Sequence, residues 1–322
     1  MKGIGALQIL NAIENEGSFR GAAQALKVTQ PYLSQFVQKL EQQCQGRLID
    51  RTQRPLRLTA IGRYYLESRR RIAMIEAETA QYYADHAHLQ VGLIRIASNG
   101  ERTNAMLVPG VSEFARRFPG IHIELTLENH LEEIPDLILS GKADVGIVFE
   151  SLLKNGLNAY PLYKERYLLA VPDTDEFSEV GSRFNTQGQY PLLTQADPVK
   201  LTSIPLLQTV LHHERTALLS RAVGREFTDL NMDVRQLGTR LAFVASGICS
   251  AVCQETLIGP YCAREGCRFL SLENILPIQT VVIAWNDSLY QSRASRMLCD
   301  LVKESLNQDS KTLRGRAFSV LP

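Results

Sequence analysis

The chain has 322 residues, 45% of them hydrophobic, which is enough for two or three domains with filled cores. Its net charge of +1 is unevenly split: residues 1–75 carry 12 Lys/Arg against 5 Asp/Glu, a net +7, which leaves −6 for the rest. There is no charged-then-apolar leader and no apolar run of about 18 residues, so a cytoplasmic protein with no membrane partner and six reduced cysteines is expected. A basic head on an acidic body suits a nucleic-acid-binding module joined to a separate domain.

Leu7 to Glu14 reads as a first helix, with Leu7, Ile9, Leu10 and Ile13 inward. Phe19, Ala22, Ala23 and Leu26 then recur at the spacing of one helical face. Lys27-Val28-Thr29 breaks the pattern. Thr29 is a good N-cap, and Pro31 fits a first turn, where a missing N–H costs nothing. Beyond it Leu33, Val37 and Leu40 line one face, and Gln30, Ser34, Gln35 and Gln38 the other. This is either an ordinary helical hairpin or a helix-turn-helix whose amides and hydroxyls read base edges and bind phosphates. Arg47 to Thr59 reads as a short hairpin-like wing carrying Arg51, Arg54 and Arg57. Such charge grips the sugar-phosphate backbone and supplies affinity rather than sequence choice.

One run of residues is specific: Glu16-Gly17-Ser18-Phe19, Ala22-Ala23, Leu26, Val28-Thr29-Gln30-Pro31, Leu33-Ser34, Leu40-Glu41, Arg47-Leu48, Arg51 and Leu58-Thr59. With it, residues 7–66 resemble the winged helix-turn-helix of LysR-type transcriptional regulators. The chain departs from that family at Gln35, where a basic residue is often found, and Phe36 follows it. The resemblance implies binding to double-stranded DNA through Ser18, Arg20, Thr29, Gln30, Pro31, Ser34, Gln35, Gln38, Arg51, Arg54 and Arg57.

Thr59 can cap a long helix running to about His86, along which Ile61, Tyr64, Tyr65, Ser68, Ile72, Ile75, Thr79, Tyr82 and Tyr83 keep a roughly helical or heptad spacing. Its apolar face needs a partner, and a second copy of the chain is the simplest one. In the family this linker helix pairs two subunits on an inverted-repeat operator. Arg69-Arg70-Arg71 reads as a solvated face rather than a DNA contact. The expected domains are a winged helix-turn-helix over 1–58, a linker helix over 59–88 and an effector domain over 89–322.

In that last segment Val91–Ala97 alternates as a strand, Asn104–Phe118 is helical, Ile121–Leu127 alternates again, Leu131–Ser140 is a helix and Ala143–Phe149 a buried strand. This order predicts a parallel sheet with helices on its faces and a ligand beyond the carboxyl ends of its strands. Tyr160–Val171 should hold two more strands, the second crossing into another subdomain. There the pattern predicts strands at Ile204–Val210, Met232–Leu237 and Cys249–Val252, and helices near Arg215–Gly224 and Thr239–Ser246. The chain should return through a strand at Thr280–Trp285 and a helix from Ser292 to about Leu306, leaving 308–322 as a loose tail. Leu93–Ala97, Phe114–Ile121, Leu139–Ile147 and Phe243–Ile248 resemble the family's effector domain. That implies a periplasmic-binding-protein-like α/β fold, with one subdomain over about 89–165 and 269–307 and the other over about 166–268, around a cleft.

Ser98, Asn99, Gly100, Arg102 and Thr103 lie between the first strand and its helix. N–H groups and hydroxyls there make either a plain N-cap or a site for a carboxylate or other anion. The resemblance implies a small-molecule effector at this loop. It adds Glu128, Asn129, Phe149 and Glu150, and across the cleft Thr202, His212 and Ile248. Glu128 and Glu150 suit a cationic or mixed effector equally. The resemblance also implies self-association into dimers and tetramers, and contact with RNA polymerase in an activator. His212 and His213, adjacent on a strand, point opposite ways and lack a nearby Cys or Asp, so neither a metal nor a cofactor is expected. Four cysteines fall between 249 and 267. They are either small buried side chains or, as in peroxide-sensing members of the family, a redox pair, here Cys262 and Cys267 near Arg264 and Arg268. An enzyme is not expected: the sequence has no G-x-S-x-G elbow, P-loop, G-x-G-x-x-G or H-E-x-x-H.

Overall fold

A computed structural model describes residues 5–86, 92–100, 103–128, 130–183, 189–207, 213–230, 232, 234, 236–258 and 266–312. The chain divides into two units, Met1–Tyr83 and Ala84–Pro322. The first holds α1 (Ala6–Glu16), α2 (Phe19–Ala25), α3 (Gln30–Gln43), a hairpin of β1 (Ile49–Asp50) and β2 (Arg57–Leu58), and most of α4 (Ala60–His86). Hydroxyl caps start three of these helices. Ser18 Oγ accepts the Gly21 N–H at 3.0 Å, Thr29 Oγ1 that of Tyr32 at 3.4 Å, and Thr59 Oγ1 that of Gly62 at 3.0 Å.

The core of this unit is the set the helical spacing selects: Ile9, Leu10, Ile13, Ala22, Ala23, Leu33, Val37 and Leu40, closed by Leu48, Ile49, Leu56, Leu58 and Leu66. Two glycines are required. Gly17 ends α1 at φ +59°, a left-handed value that spares a residue without Cβ. A Cβ on Gly62 would lie 2.1 Å from the Leu48 carbonyl oxygen, so only glycine lets α4 pass the wing this closely.

The second unit is built on two five-stranded sheets. Its elements are β3 (Gly92–Ser98), α5 (Val108–Arg117), β4 (Ile121–Leu127), α6 (Ile134–Leu139), β5 (Val145–Phe149), β6 (Leu157–Glu165), β7 (Tyr167–Pro172), β8 (Ser182–Arg183), α7 (Pro198–Leu201), β9 (Leu206–Leu207), α8 (His213–Val223), α9 (Leu237–Ala245), β10 (Ser250–Gln254), α10 (Glu255–Ile258), β11 (Cys267–Ser271), β12 (Gln279–Asn286) and α11 (Arg293–Thr312). The first sheet has the order β4-β3-β5-β12-β6, and the second β8-β11-β7-β10-β9. In the first, β3 runs parallel to β4 and β5, while β12 is antiparallel to β5 and β6. Strand alternation sorts side chains onto two apolar layers: Val281 and Ile283 of β12 pack on one face, Val282 and Ala284 on the other. On β7, Leu169 and Val171 face one layer and Leu168 and Ala170 the second.

The structure departs from the sequence expectations in three places. No strand forms at Met232, Val234 and Gln236, the described residues of the expected 232–237 strand, and Leu237 instead opens α9. The last helix runs on to Thr312, so residues 308–312 are helical rather than a loose tail; 313–322 lie outside the described residues. β11 belongs to the second sheet, so the second subdomain extends to Ser271 rather than ending near 268. It is hard to find from sequence because the strand is only five residues long, and both of its neighbours, β7 and β8, lie more than 80 residues back.

Candidate DNA interface and effector cleft

On α3 the buried residues are Leu33, Val37 and Leu40, while Gln30, Pro31, Gln35 and Gln38 are exposed and Ser34 is half-buried. Ser18 and Thr29 use their oxygens as caps, placing the amino ends of α2 and α3 where N–H groups and the helix dipole favour a phosphate. Arg20 is exposed on α2. The wing is tied to α3 by Glu41, whose carboxylate accepts the N–H groups of Leu48 and Ile49 at 2.9 and 3.2 Å and the Arg51 guanidinium at 3.1 Å. Arg51 also lies 5.6 Å from the centre of the Phe19 ring. Arg51 is therefore partly occupied in joining elements, whereas Arg54 and Arg57 are exposed on the wing.

Arg70, expected on a solvated face, instead donates to Asn11 at 2.6 Å and pairs with Glu14, pinning α4 to α1. Along α4, Ile61, Tyr64, Ile72, Ile75, Tyr82 and Tyr83 are exposed, the apolar row the spacing led one to expect.

In the second unit β3, β4 and β5 end on the same edge. Ser98 pairs with Leu127, and the Ser98 carbonyl accepts the Glu128 N–H at 2.9 Å. Ser98 and Thr103 are buried, and both hydroxyls donate to the Asn99 carbonyl, at 3.3 and 3.0 Å. Gly100 has room around it, with the nearest side chain 3.9 Å from an added Cβ. Glu128 is half-buried, Phe149 is buried in the core, and Glu150 is exposed just beyond β5. These residues converge. Arg102, Asn129, His212 and Cys262 lie outside the described residues.

Two residues do not join them. β10 is parallel to β9 and antiparallel to β7, and its last residue, Gln254, pairs with Tyr167 just after the crossover from β6. The carboxyl ends of β9 and β10 thus face the crossover and their amino ends face away. Thr202 precedes β9 and Ile248 precedes β10, so both stand at the end remote from the crossover. Thr202 Oγ1 donates to the Pro198 carbonyl at 2.9 Å, closing α7.

What the sequence reading missed lies at the crossover. Glu165 is fully buried, and its carboxylate accepts the Thr256 N–H at 3.1 Å, with Thr256 Oγ1 2.6 Å from both of its oxygens. Next to it Arg166 grips Glu255 through two bonds of 2.7 and 2.9 Å and reaches Glu273 at 3.4 Å. Burial pushes the Glu255 carboxyl up, and Arg166 pulls it part of the way back. Arg166 and Glu273 also line a cavity of about 330 Å³ with Leu168, Gln189, Tyr190, Pro191 and Ser271. The signal was there: Lys164-Glu165-Arg166 interrupts two apolar strands, and Gln254-Glu255 ends another.

Two of the described thiols, Cys249 and Cys267, sit where burial works against a reactive thiolate. Burial pushes Cys267 up to about 12 and Cys249 up to about 11, the opposite of a reactive thiolate. Among the described residues no cysteine forms a disulfide, no group of His, Cys, Asp and Glu could hold a metal, and no helix is long and apolar enough to cross a membrane.

Comparison with known proteins decides the family. The description "LysR substrate binding domain" matches residues 87–307, and "Bacterial regulatory helix-turn-helix protein, lysR family" matches residues 4–63. The chain belongs to the LysR family of transcriptional regulators. As a LysR-family protein it pairs a DNA-binding helix-turn-helix with an effector-binding domain. A probable RuBisCO transcriptional regulator of Cyanidioschyzon merolae is 25% identical over 297 residues, covering 91% of this chain and 95% of that protein. Full-length CbnR in complex with its target DNA has the same fold, with a TM-score of 0.58 at 19% identity, covering 93% of this chain and 98% of that one. A hydrogen-peroxide-bound OxyR mutant of Corynebacterium glutamicum gives 0.54 at 17%, covering 96% and 95%.

Proposed function

We propose that this LysR-family protein binds an inverted-repeat operator as a dimer of its winged units, within a tetramer, in the cytoplasm. The helix α3, starting at Gln30, enters the major groove, where Gln30, Ser34, Gln35 and Gln38 meet base edges and phosphates. Ser18, Arg20, Thr29 and Pro31 set the helix starts against the backbone, which Arg54 and Arg57 hold; Arg51 braces the wing. A small effector sits beyond β3, β4 and β5, at Ser98–Thr103, Glu128–Asn129 and Phe149–Glu150, and favours one arrangement of subunits over another. The DNA geometry that follows governs contact with RNA polymerase.

The observation that carries this reading is an exposed polar face of α3, with Gln30, Gln35 and Gln38, beside a hairpin presenting Arg54 and Arg57. Footprinting on DNA around the protein's own gene, at physiological salt with excess competitor, tests it. Protection of an inverted repeat of about two helical turns is the expected result. Uniform, salt-sensitive retardation with no protected site would leave only backbone binding.

A further inference from the structure

Tyr32 is a large aromatic residue in the first turn of α3 that core packing does not explain. It is 44% exposed, and its N–H is the one Thr29 caps. Its helical neighbours at i+3 and i+4 are Gln35, exposed, and Phe36, half-buried. The Phe36 ring packs against the core of the first unit, and the Tyr32 ring leans on it with centroids 6.4 Å apart and planes inclined by 44°. Phe36 thus props an outward-pointing ring, and a tyrosine so supported has little rotamer freedom left to lose on binding.

We propose that Tyr32 reads a thymine through its C5-methyl group, with Phe36 as its support. The inference rests on the DNA-reading role given to α3 and deepens it. The amino-terminal residues of a recognition helix are the ones that reach base edges. An amide can take a donor–acceptor pair from adenine, but a ring cannot. The apolar feature the major groove offers a ring is the thymine methyl. Gln30 and Gln35 beside Tyr32 would then read hydrogen-bonding edges while the ring reads the neighbouring methyl, which makes part of the recognition code hydrophobic.

The test uses the full chain and a duplex carrying the protected half-site. Each thymine is replaced in turn by deoxyuridine, which deletes the methyl and keeps the base pair. At one position per half-site wild type should lose about fourfold in affinity, the worth of one buried methyl. Tyr32→Ala should bind the thymine duplex more weakly and no longer distinguish the two. Tyr32→Phe, which keeps the ring, should still distinguish them. Tolerance of uracil at every position by wild type overturns the inference alone, as does discrimination that survives in Tyr32→Ala or vanishes in Tyr32→Phe. Absence of any site-selective protection by wild type overturns the regulator reading, and this inference with it.

Discussion

Two sets of polar side chains, one in each unit, are treated in opposite ways. On α3, Gln30, Gln35 and Gln38 stand exposed. At the crossover, Glu165 and Thr256 are buried against one another and Glu255 is clasped by Arg166. Exposed amides exchange water for base edges at little cost. Buried carboxylates are expensive unless every partner is in place, so they fix geometry rather than recognise ligands. The first set suits a surface that meets a partner, and the second suits a strut between two sheets.

The comparison can be broken most severely at Gly62. Gly62→Ala drives a Cβ into the Leu48 carbonyl, and a loss of about 3 kcal/mol is expected from the first unit, read as an early calorimetric transition while the second melts as before. Thr256→Val strips the Glu165 carboxylate of its hydroxyl donor and should cost about 2 kcal/mol in denaturant unfolding, whereas Gln38→Ala should stay within about 0.5 kcal/mol. Equal costs would erase the distinction between strut and reading surface.

Cysteine chemistry sharpens the same contrast. With its thiol pushed up to about 12, Cys267 should react with iodoacetamide at pH 8 on the order of a hundredfold more slowly than an unperturbed thiol, as peptide mapping would show. Alkylation at the rate of an ordinary thiol would put Cys267 outside the layer of Leu168 and Ala170, against which it packs. The smallest effect is expected at Ile248: Ile248→Ala should leave any effector-induced change in the footprint unaltered, since the residue precedes β10 at the end away from the crossover.

The first unit was legible because its determinants are local. Ser18, Thr29 and Thr59 cap helices three residues downstream, and the apolar spacing of α1 to α3 names its own core. In the second unit β3, β4 and β5 were legible for the same reason, since they follow each other with their helices. Which end of the second sheet Thr202 and Ile248 occupy was not legible, because strand direction there is a non-local property. It depends on β10 pairing with β7, about 80 residues back, so which end of a strand faces the cleft cannot be read within a window. Glu165 and Thr256 were missed likewise: 91 residues separate the carboxylate from its donor.

The central claim is that α3 selects sequence while the wing supplies affinity. Operator affinity measured against salt for wild type, Gln30→Ala and Arg54→Ala tests it, on the operator and on one with a single base pair changed. The account predicts that Arg54→Ala weakens both duplexes alike and lowers the slope of log affinity against log salt by about 1.8, one phosphate contact being lost in each half-site. Gln30→Ala should keep the wild-type slope and lose its preference at one base pair, a difference of about 1–3 kcal/mol. If both variants weaken every duplex equally and share one salt slope, the division of roles between α3 and the wing is wrong.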